Sequence, residues 1–401
     1  MNLRSGVPLW PWRDGMLSVY PPLTCHARAD VVVIGAGITG ALVARALTVA
    51  GAEVLVVDKR DVANGSSAAT SGLLMHETDT SLTELTTRVG ADHARRAWQL
   101  GVEAIDALEQ MIAELGDACG FARRDSLYVA SSRGDARRMR EEEVLRQRFG
   151  FSADWIERAD LRLGYGIEAF GAIRTPRNAQ VDCFRLTHRL LQSAVSHGAR
   201  VFDRTEVALV EAHDAGCTVV TAEGPTIACR RVVWAAGYEG VEETQRRVGQ
   251  MKSTWIVTTE PLPEAAIWRE QLLLWESARP YLYARITDDG RAMVGGEDEP
   301  FATRHADARV MEKKAARLVK RFASLMPNRE PLKPSFRWGG TFSETKDGLP
   351  YIGTVPEHPH AWLAMGYGGN GITFSVIASQ LITDAWLGRH NADLSLFSFS
   401  R

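Results

Sequence analysis

Gly35-Ala36-Gly37-Ile38-Thr39-Gly40 carries the densest chemical signal in the chain. Glycines at this spacing suit a polyphosphate. Gly35 permits a tight turn, Gly37 lets the backbone approach a pyrophosphate, and Gly40 allows the following helix to pack on the preceding strand. N–H groups around Ile38 and Thr39, at the helix start, then face negative charge. Asp58, 18 residues beyond Gly40, is placed to accept hydrogen bonds from ribose hydroxyls. Lys59 follows it directly.

A glycine turn does this only in the right context, which the flanking residues supply. Val31-Val32-Val33-Ile34 is a continuous β-branched run, as in a parallel strand buried on both faces. Ala41 to Ala50 has helix-forming composition, and Gly51 marks that helix's end. Glu53 to Val57 reads as a second buried strand delivering Asp58 at its carboxyl end.

Further elements select the dinucleotide. Asn64 to Gly72 is a small-residue segment, including Ser66, Ser67 and Ser71, able to wrap closely against a cofactor as far as Leu73. Val233 to Gly237 is another strand and turn, bringing Ala236 and Gly237 toward the phosphates. Gly366 to Thr373 opens a C-terminal helix, so Gly368, Gly369, Asn370, Gly371, Ile372 and Thr373 offer a second positive dipole end. Together they point to FAD; a nicotinamide cofactor would need only the first unit.

The remaining chain bounds the partners. With 401 residues, 45% of them hydrophobic and 24% charged, it holds a full core in two or three domains. A net charge of −2 leaves no basic excess for neutralising phosphates, which argues against nucleic acid as a partner. Cys25, Cys119, Cys183, Cys217 and Cys229 are scattered, without metal-ligand spacing, so no metal is expected and a reduced compartment is. Proline and arginine interrupt the first 28 residues, and no run reaches the length of a membrane span, which predicts a cytoplasmic protein.

Asp92 to Leu115 reads as an amphipathic helix, with Trp98, Val102, Ile105, Ile112 and Leu115 on one stripe. Residues 135 to 148, with Arg137, Arg138, Arg140, Glu141, Glu142 and Glu143, read as a solvated helix face. Helices are also expected over Phe184 to His197, His305 to Met326, and from the final glycines through Leu387. Between residues 251 and 296 the alternating pattern predicts an antiparallel sheet.

On these motifs the chain resembles the FAD-dependent family of D-amino acid oxidase, glycine oxidase and sarcosine oxidase. The resemblance runs from about residue 29 to 387 and rests on five features: the glycine turn with Asp58, Gly65-Ser66-Ser67, Ala235-Ala236-Gly237, Thr345 to Pro350, and the last glycine-rich turn. Tyr281 to Ile286, with Arg291 and Gly295-Gly296, looks most like the γ-glutamylputrescine oxidase branch. The resemblance implies an α/β (α+β overall) architecture: a Rossmann-like FAD domain beside an antiparallel-sheet substrate domain. The expected division is an N-terminal extension over 1–28, a discontinuous FAD domain over 29–90, 155–245 and 335–401, and a substrate domain over 91–154 and 246–334. FAD is expected extended and noncovalent, with Val207 among its contacts.

Departures from the family narrow the substrate side. The arginine and lysine that hold a carboxylate in sarcosine oxidases match Gly72 and Thr373, and Phe342 stands where glycine oxidase places an arginine. Arg285, Tyr281, Tyr283 and His76 are the substrate-side candidates. The family's covalent-attachment positions match Gly340 and Ala69, and its oxygen-activating lysine matches Met293. The expected reaction is oxidation of a C–N bond in an amine or amino-acid derivative, with oxygen or another acceptor taking the electrons. A C–OH dehydrogenase and a noncatalytic flavin-binding subunit of a larger complex are the alternatives.

Overall fold

Val31-Val32-Val33-Ile34 has no polar face to offer water, and the strand containing it, Ala27–Ile34, lies at the centre of the first sheet. The computed structural model describes residues 3–244, 248–301 and 307–401. Thr226–Trp234 and Val54–Val57 flank the central strand in parallel, with His358–Met365 and Arg200–Phe202 beyond them, also parallel. Side chains then alternate between two cores. Val31, Val33, Val54 and Val56 meet helices, whereas Val32, Ile34, Leu55 and Val57 face the layer built on Val207–His213 and Gly216–Thr221. Ile34 stands opposite both Val57 and Trp234, so three strands end at one edge. Ligands of open α/β sheets bind at such an edge.

The second sheet is mostly antiparallel and includes Pro334–Glu344, Gln250–Pro261, Arg291–Pro300, Leu282–Ile286 and Leu273–Glu276 as successive neighbours. Its period-two pattern is clean. Trp255, Val257, Leu282, Ala284, Ala292 and Val294 pack under the helix Ala308–Leu325 through Met311, Ala315, Leu318 and Phe322. Thr254, Ile256, Tyr281, Tyr283 and Phe342 alternate with them and face the first domain.

Several elements fall elsewhere than the sequence suggests. The strands Ala172–Gln180 and Pro334–Glu344 join the second sheet, although both begin or lie in segments assigned to the FAD unit. The helix Ala91–Glu114, assigned to the substrate unit, buries Trp98, Ile105 and Leu108 in the first core with the C-terminal helix Gly371–Trp386. The helix Arg133–Arg148 is not solvated all round. Arg137, Arg138, Arg140 and Glu141 are exposed, but Glu142 and Arg146 are buried and paired. The expected start near His305 lies outside the described residues.

The N-terminal extension is structured. Arg4–Gly6 pairs with the edge strand Pro334–Glu344, and Leu9–Asp14 forms a short helix. Trp10 is fully buried there, and its indole N–H donates to the Thr70 carbonyl (2.7 Å). Arg4 donates to the Asn64 side chain (2.6 Å), and Trp338 donates to the Ala69 carbonyl (2.8 Å). Small residues give the segment Asn64 to Gly72 few side-chain anchors of its own. These outer donors hold its backbone instead.

Candidate cofactor and substrate site

One cavity runs between the two sheets, from the glycine turn to the aromatic face of the second sheet. At the first end, the helix Ile38–Val49 begins on Gly37, which has an extended conformation and opens directly on the cavity. Gly35 has φ 110°, and a Cβ there would lie 2.4 Å from the Ala235 carbonyl oxygen. Only glycine fits, because the Ala235 turn crosses so closely. The Ile38 N–H donates to Ser67 Oγ (2.9 Å), joining the small-residue segment to the helix start.

Asp58 sits at the carboxyl end of Val54–Val57 and braces this turn. One carboxylate oxygen accepts from the Ala36 N–H (2.7 Å), the other from the Arg60 N–H (2.8 Å). Burial pushes its pKa up against those two bonds, and its remaining lone pairs can accept ribose hydroxyls. Glu239 reaches over the same end to Lys59 (3.1 Å) and Arg60 (2.8 Å). Burial opposes its charge, but those cations hold its carboxyl down at about 2.

The far end is built from two loops. Residues 75–79 run against the start of the C-terminal helix: the Asn370 amide donates to the carbonyls of Met75 (3.0 Å) and Glu77 (2.9 Å). Thr373 Oγ1 donates to the Met75 carbonyl (3.2 Å), and the Gly369 N–H donates to Asp79 (3.1 Å). The two dinucleotide-facing helices are themselves joined, Thr39 Oγ1 to Ser375 Oγ at 2.8 Å. Trp275, stacked on Tyr128 at 3.7 Å, completes an aromatic wall with Tyr281 and Tyr283.

Most residues expected at the cofactor line this cavity: Gly35, Gly37, Ile38, Thr39, Asp58, Lys59, Ser66, Ser67, Ser71, Leu73, Val207, Ala236, Gly237, Gly368, Gly369, Asn370, Gly371 and Ile372. Gly40, Gly72 and Thr373 act one layer behind. Gly40 packs on the Gly35 carbonyl, Gly72 turns against Val181, and Thr373 holds Met75. Tyr281 and Tyr283 are in the wall, but the other two substrate-side candidates are not. Arg285 shares their face of the strand but lies beneath Trp10. It donates to the carbonyls of Gly72 (2.9 Å) and Val181 (3.1 Å), and burial lowers its pKa to about 10. His76 points away into the first core beside Trp98 and Phe151, and burial lowers its pKa to about 4.

Other wall residues carried little sequence signal. Leu3 reaches the cavity only because its strand adds to the edge of the second sheet. Met75, Asp79, Tyr238 and Trp275 belong to no spaced motif, although Asp79 was visible as an acid shortly after the small-residue segment. Cys183 also lines the wall, where burial raises its pKa and weakens it as a nucleophile.

The residues fit FAD. Ser66 Oγ is buried without a partner among the described residues and lies in the cavity wall, able to donate to a phosphate oxygen. Two helix N-termini open on the cavity, and the Asp58 carboxylate lines the same wall. No helix of the described residues is long and apolar enough to cross a membrane, and no group of their side chains is arranged to hold a metal.

A family model described as DAO, FAD dependent oxidoreductase, matches residues 30–385. A glycine oxidase from Geobacillus kaustophilus is 26% identical over 380 residues, spanning 93% of this chain and 97% of its own. A γ-glutamylputrescine oxidoreductase from Escherichia coli is 25% identical over 383 residues, spanning 91% and 84%. The crystal structure of glycine oxidase from Geobacillus kaustophilus matches with a TM-score of 0.80 over 94% of this chain and 99% of that one, at 24% identity. The likeness is one of fold.

Proposed function

The chain belongs to the DAO family of FAD-dependent oxidoreductases, and on that premise we propose that it oxidises a C–N bond of an amine or amino-acid derivative. Bound FAD would supply the two-electron acceptor for that oxidation, and water would hydrolyse the imine product. Names of relatives such as glycine oxidase and γ-glutamylputrescine oxidoreductase support nitrogen-bearing substrates over hydroxy acids. The observation carrying the reading is the continuity of the cavity from Asp58 and Gly37 to Tyr281 and Tyr283. A substrate against the aromatic wall would therefore share one space with the cofactor.

The roles divide along that cavity. Backbone N–H groups at Gly37 and Thr39, with Ser66, would hold the pyrophosphate, and Asp58 would hold a ribose. The N-terminus of Gly371–Trp386 opens on the cavity, and its positive end would stabilise negative charge on a bound flavin ring. Tyr281, Tyr283 and Trp275 confine and orient the substrate. Orientation is the main requirement here, since hydride transfer from a neutral amine needs alignment more than an acid–base pair. Arg285 and His76 are positioning residues behind the wall. At the position matched to an oxygen-activating lysine, Met293 is buried with Ala68, Ala69 and Trp338. Reoxidation by oxygen consequently lacks a cation at that point.

Anaerobic mixing of the holoenzyme with amines, N-methyl amino acids, D-amino acids, γ-glutamyl amines and 2-hydroxy acids tests the reading. Amine-class compounds are expected to bleach the flavin absorption. Bleaching by hydroxy acids alone would overturn the proposal in favour of C–OH oxidation.

A further inference from the structure

The aromatic end of the cavity carries an acidic side chain. Its wall contains Met75, Asp79, Trp275, Tyr281, Tyr283 and Phe342, and Asp79 is the only carboxylate among them. The cavity's positively charged wall residues among the described residues, Lys59 and Arg60, lie at the glycine-turn end and are engaged by Glu239.

Asp79 is held in place by neutral donors. One oxygen accepts from the Gly369 N–H at 3.1 Å, and the other accepts from Tyr281 Oη at 3.4 Å. A Cβ at position 369 would lie 2.6 Å from the carboxylate, so glycine is what admits it. A carboxylate offers about four lone-pair sites, and two donors leave it undersupplied. No Lys, Arg or His among the described residues forms an ion pair with it. Burial, and then the nearby charge of Glu344, shift its pKa upward, although Arg279 pulls it the other way from outside the wall. Tyr281 meets it through its hydroxyl and has Arg279 over its ring at 5.2 Å, and the Tyr283 ring lies 5.9 Å from that of Tyr281. A carboxylate next to aromatic faces is the chemistry that selects an organic cation.

The same end is poorly equipped for an α-carboxylate, which usually requires a guanidinium or ammonium. Arg285 is sealed beneath Trp10. Arg279 is exposed, donates to the carbonyls of Ala278 (3.2 Å) and Asp79 (3.1 Å), and is not part of the wall. A substrate carboxylate entering beside Asp79 would meet a like charge.

We propose that Asp79 recognises an alkylammonium group, with Tyr281, Tyr283 and Trp275 around it, so that the preferred substrates are amines lacking an α-carboxylate. This rests on the amine-oxidation reading and names its substrate class.

The test compares n-butylamine and 1,4-diaminobutane with glycine and N-methylglycine. Binding is read from perturbation of the oxidised flavin spectrum of the holoenzyme, and reduction from anaerobic bleaching. Wild type is expected to bind the two amines about tenfold or more tightly than the two amino acids. Asp79→Asn keeps an acceptor for the Gly369 N–H and should retain FAD, yet bind the amines about tenfold or more weakly. The wild-type comparison decides the matter even if the variant does not fold. Preference for glycine, no response to either amine, or equal amine binding by Asp79→Asn overturns the proposal. If amines bleach the flavin equally fast in both proteins, Asp79 loses its role while amine oxidation stands. If hydroxy acids alone bleach it, both fall.

Discussion

Replacing Arg146 with Met is expected to cost about 3–5 kcal/mol of stability, because it leaves buried carboxylates without their counter-charge. Arg146 is fully buried between Glu77 (2.6 Å) and Glu142 (2.8 Å), with its guanidinium over the Trp98 ring at 4.8 Å. Glu142 also accepts from the N–H groups of Leu82 (2.9 Å) and Thr83 (2.8 Å), fixing the start of the helix Leu82–Val89. Glu77 accepts from Ser126 Oγ and the Asn178 amide. The network thus clamps the middle of the loop that carries Met75 and Asp79 into the cavity, and the helix start that follows it. Loss of the clamp should lower FAD retention as well as the thermal midpoint. Burial works against the charge on Glu142, but Arg146 and Thr83 still hold its pKa below the ordinary glutamate value. That contribution is complete above the ordinary value and disappears as pH falls through the lower folded value. Unfolding curves at saturating FAD should therefore show the gap between wild type and variant narrowing on acidification below about pH 4. Superimposable curves at neutral pH would refute the clamp.

What could be read in advance follows from how local the physics is. The turn from Gly35 to Gly40 and the strands flanking it are specified by residues adjacent in sequence, and they fold where their types predict. The alternation of Tyr281, Leu282, Tyr283 and Ala284 likewise gave their faces correctly. It could not give depth. Arg285 has the same parity as Tyr283, but Trp10, 275 residues earlier in the chain, covers it and removes it from the cavity. His76 is set apart from the cavity for a similar reason, since proximity to Gly72 says nothing about which side of a loop meets Trp98. Arg146 and Glu142 looked like surface charges because their partner Glu77 lies on a distant segment. The second sheet drew strands from segments that looked continuous with the first domain, because strand composition does not name its neighbours. Asp79 carries no motif signal in the sequence, since its meaning depends on Gly369, a contact only the fold creates.

Gly40→Ala and Gly37→Ala should fail in different ways, and the contrast tests how the cofactor is gripped. A Cβ at position 40 would lie 1.8 Å from the Gly35 carbonyl oxygen. Backbone faces backbone there, so no rotamer change relieves the clash; either the turn opens or the helix Ile38–Val49 moves off its strand. That helix buries Ala41, Leu42, Val43 and Leu47 in the first core, so movement disrupts packing throughout the domain. The expected loss exceeds about 4 kcal/mol, with little folded protein recovered. A Cβ at position 37 meets only Ser67 Oγ at 3.1 Å, the end of a side chain able to turn aside. The polypeptide should fold with a circular dichroism spectrum like wild type. Its new methyl group nevertheless occupies the approach of the pyrophosphate, and the Ser67 bond to the Ile38 N–H (2.9 Å) is disturbed. Flavin released on heating, measured per mole of chain, should be near zero for Gly37→Ala. Stoichiometric FAD in that folded variant would mean the pyrophosphate lies elsewhere, whereas an unfolded Gly37→Ala protein would mean this glycine serves packing, as Gly40 does.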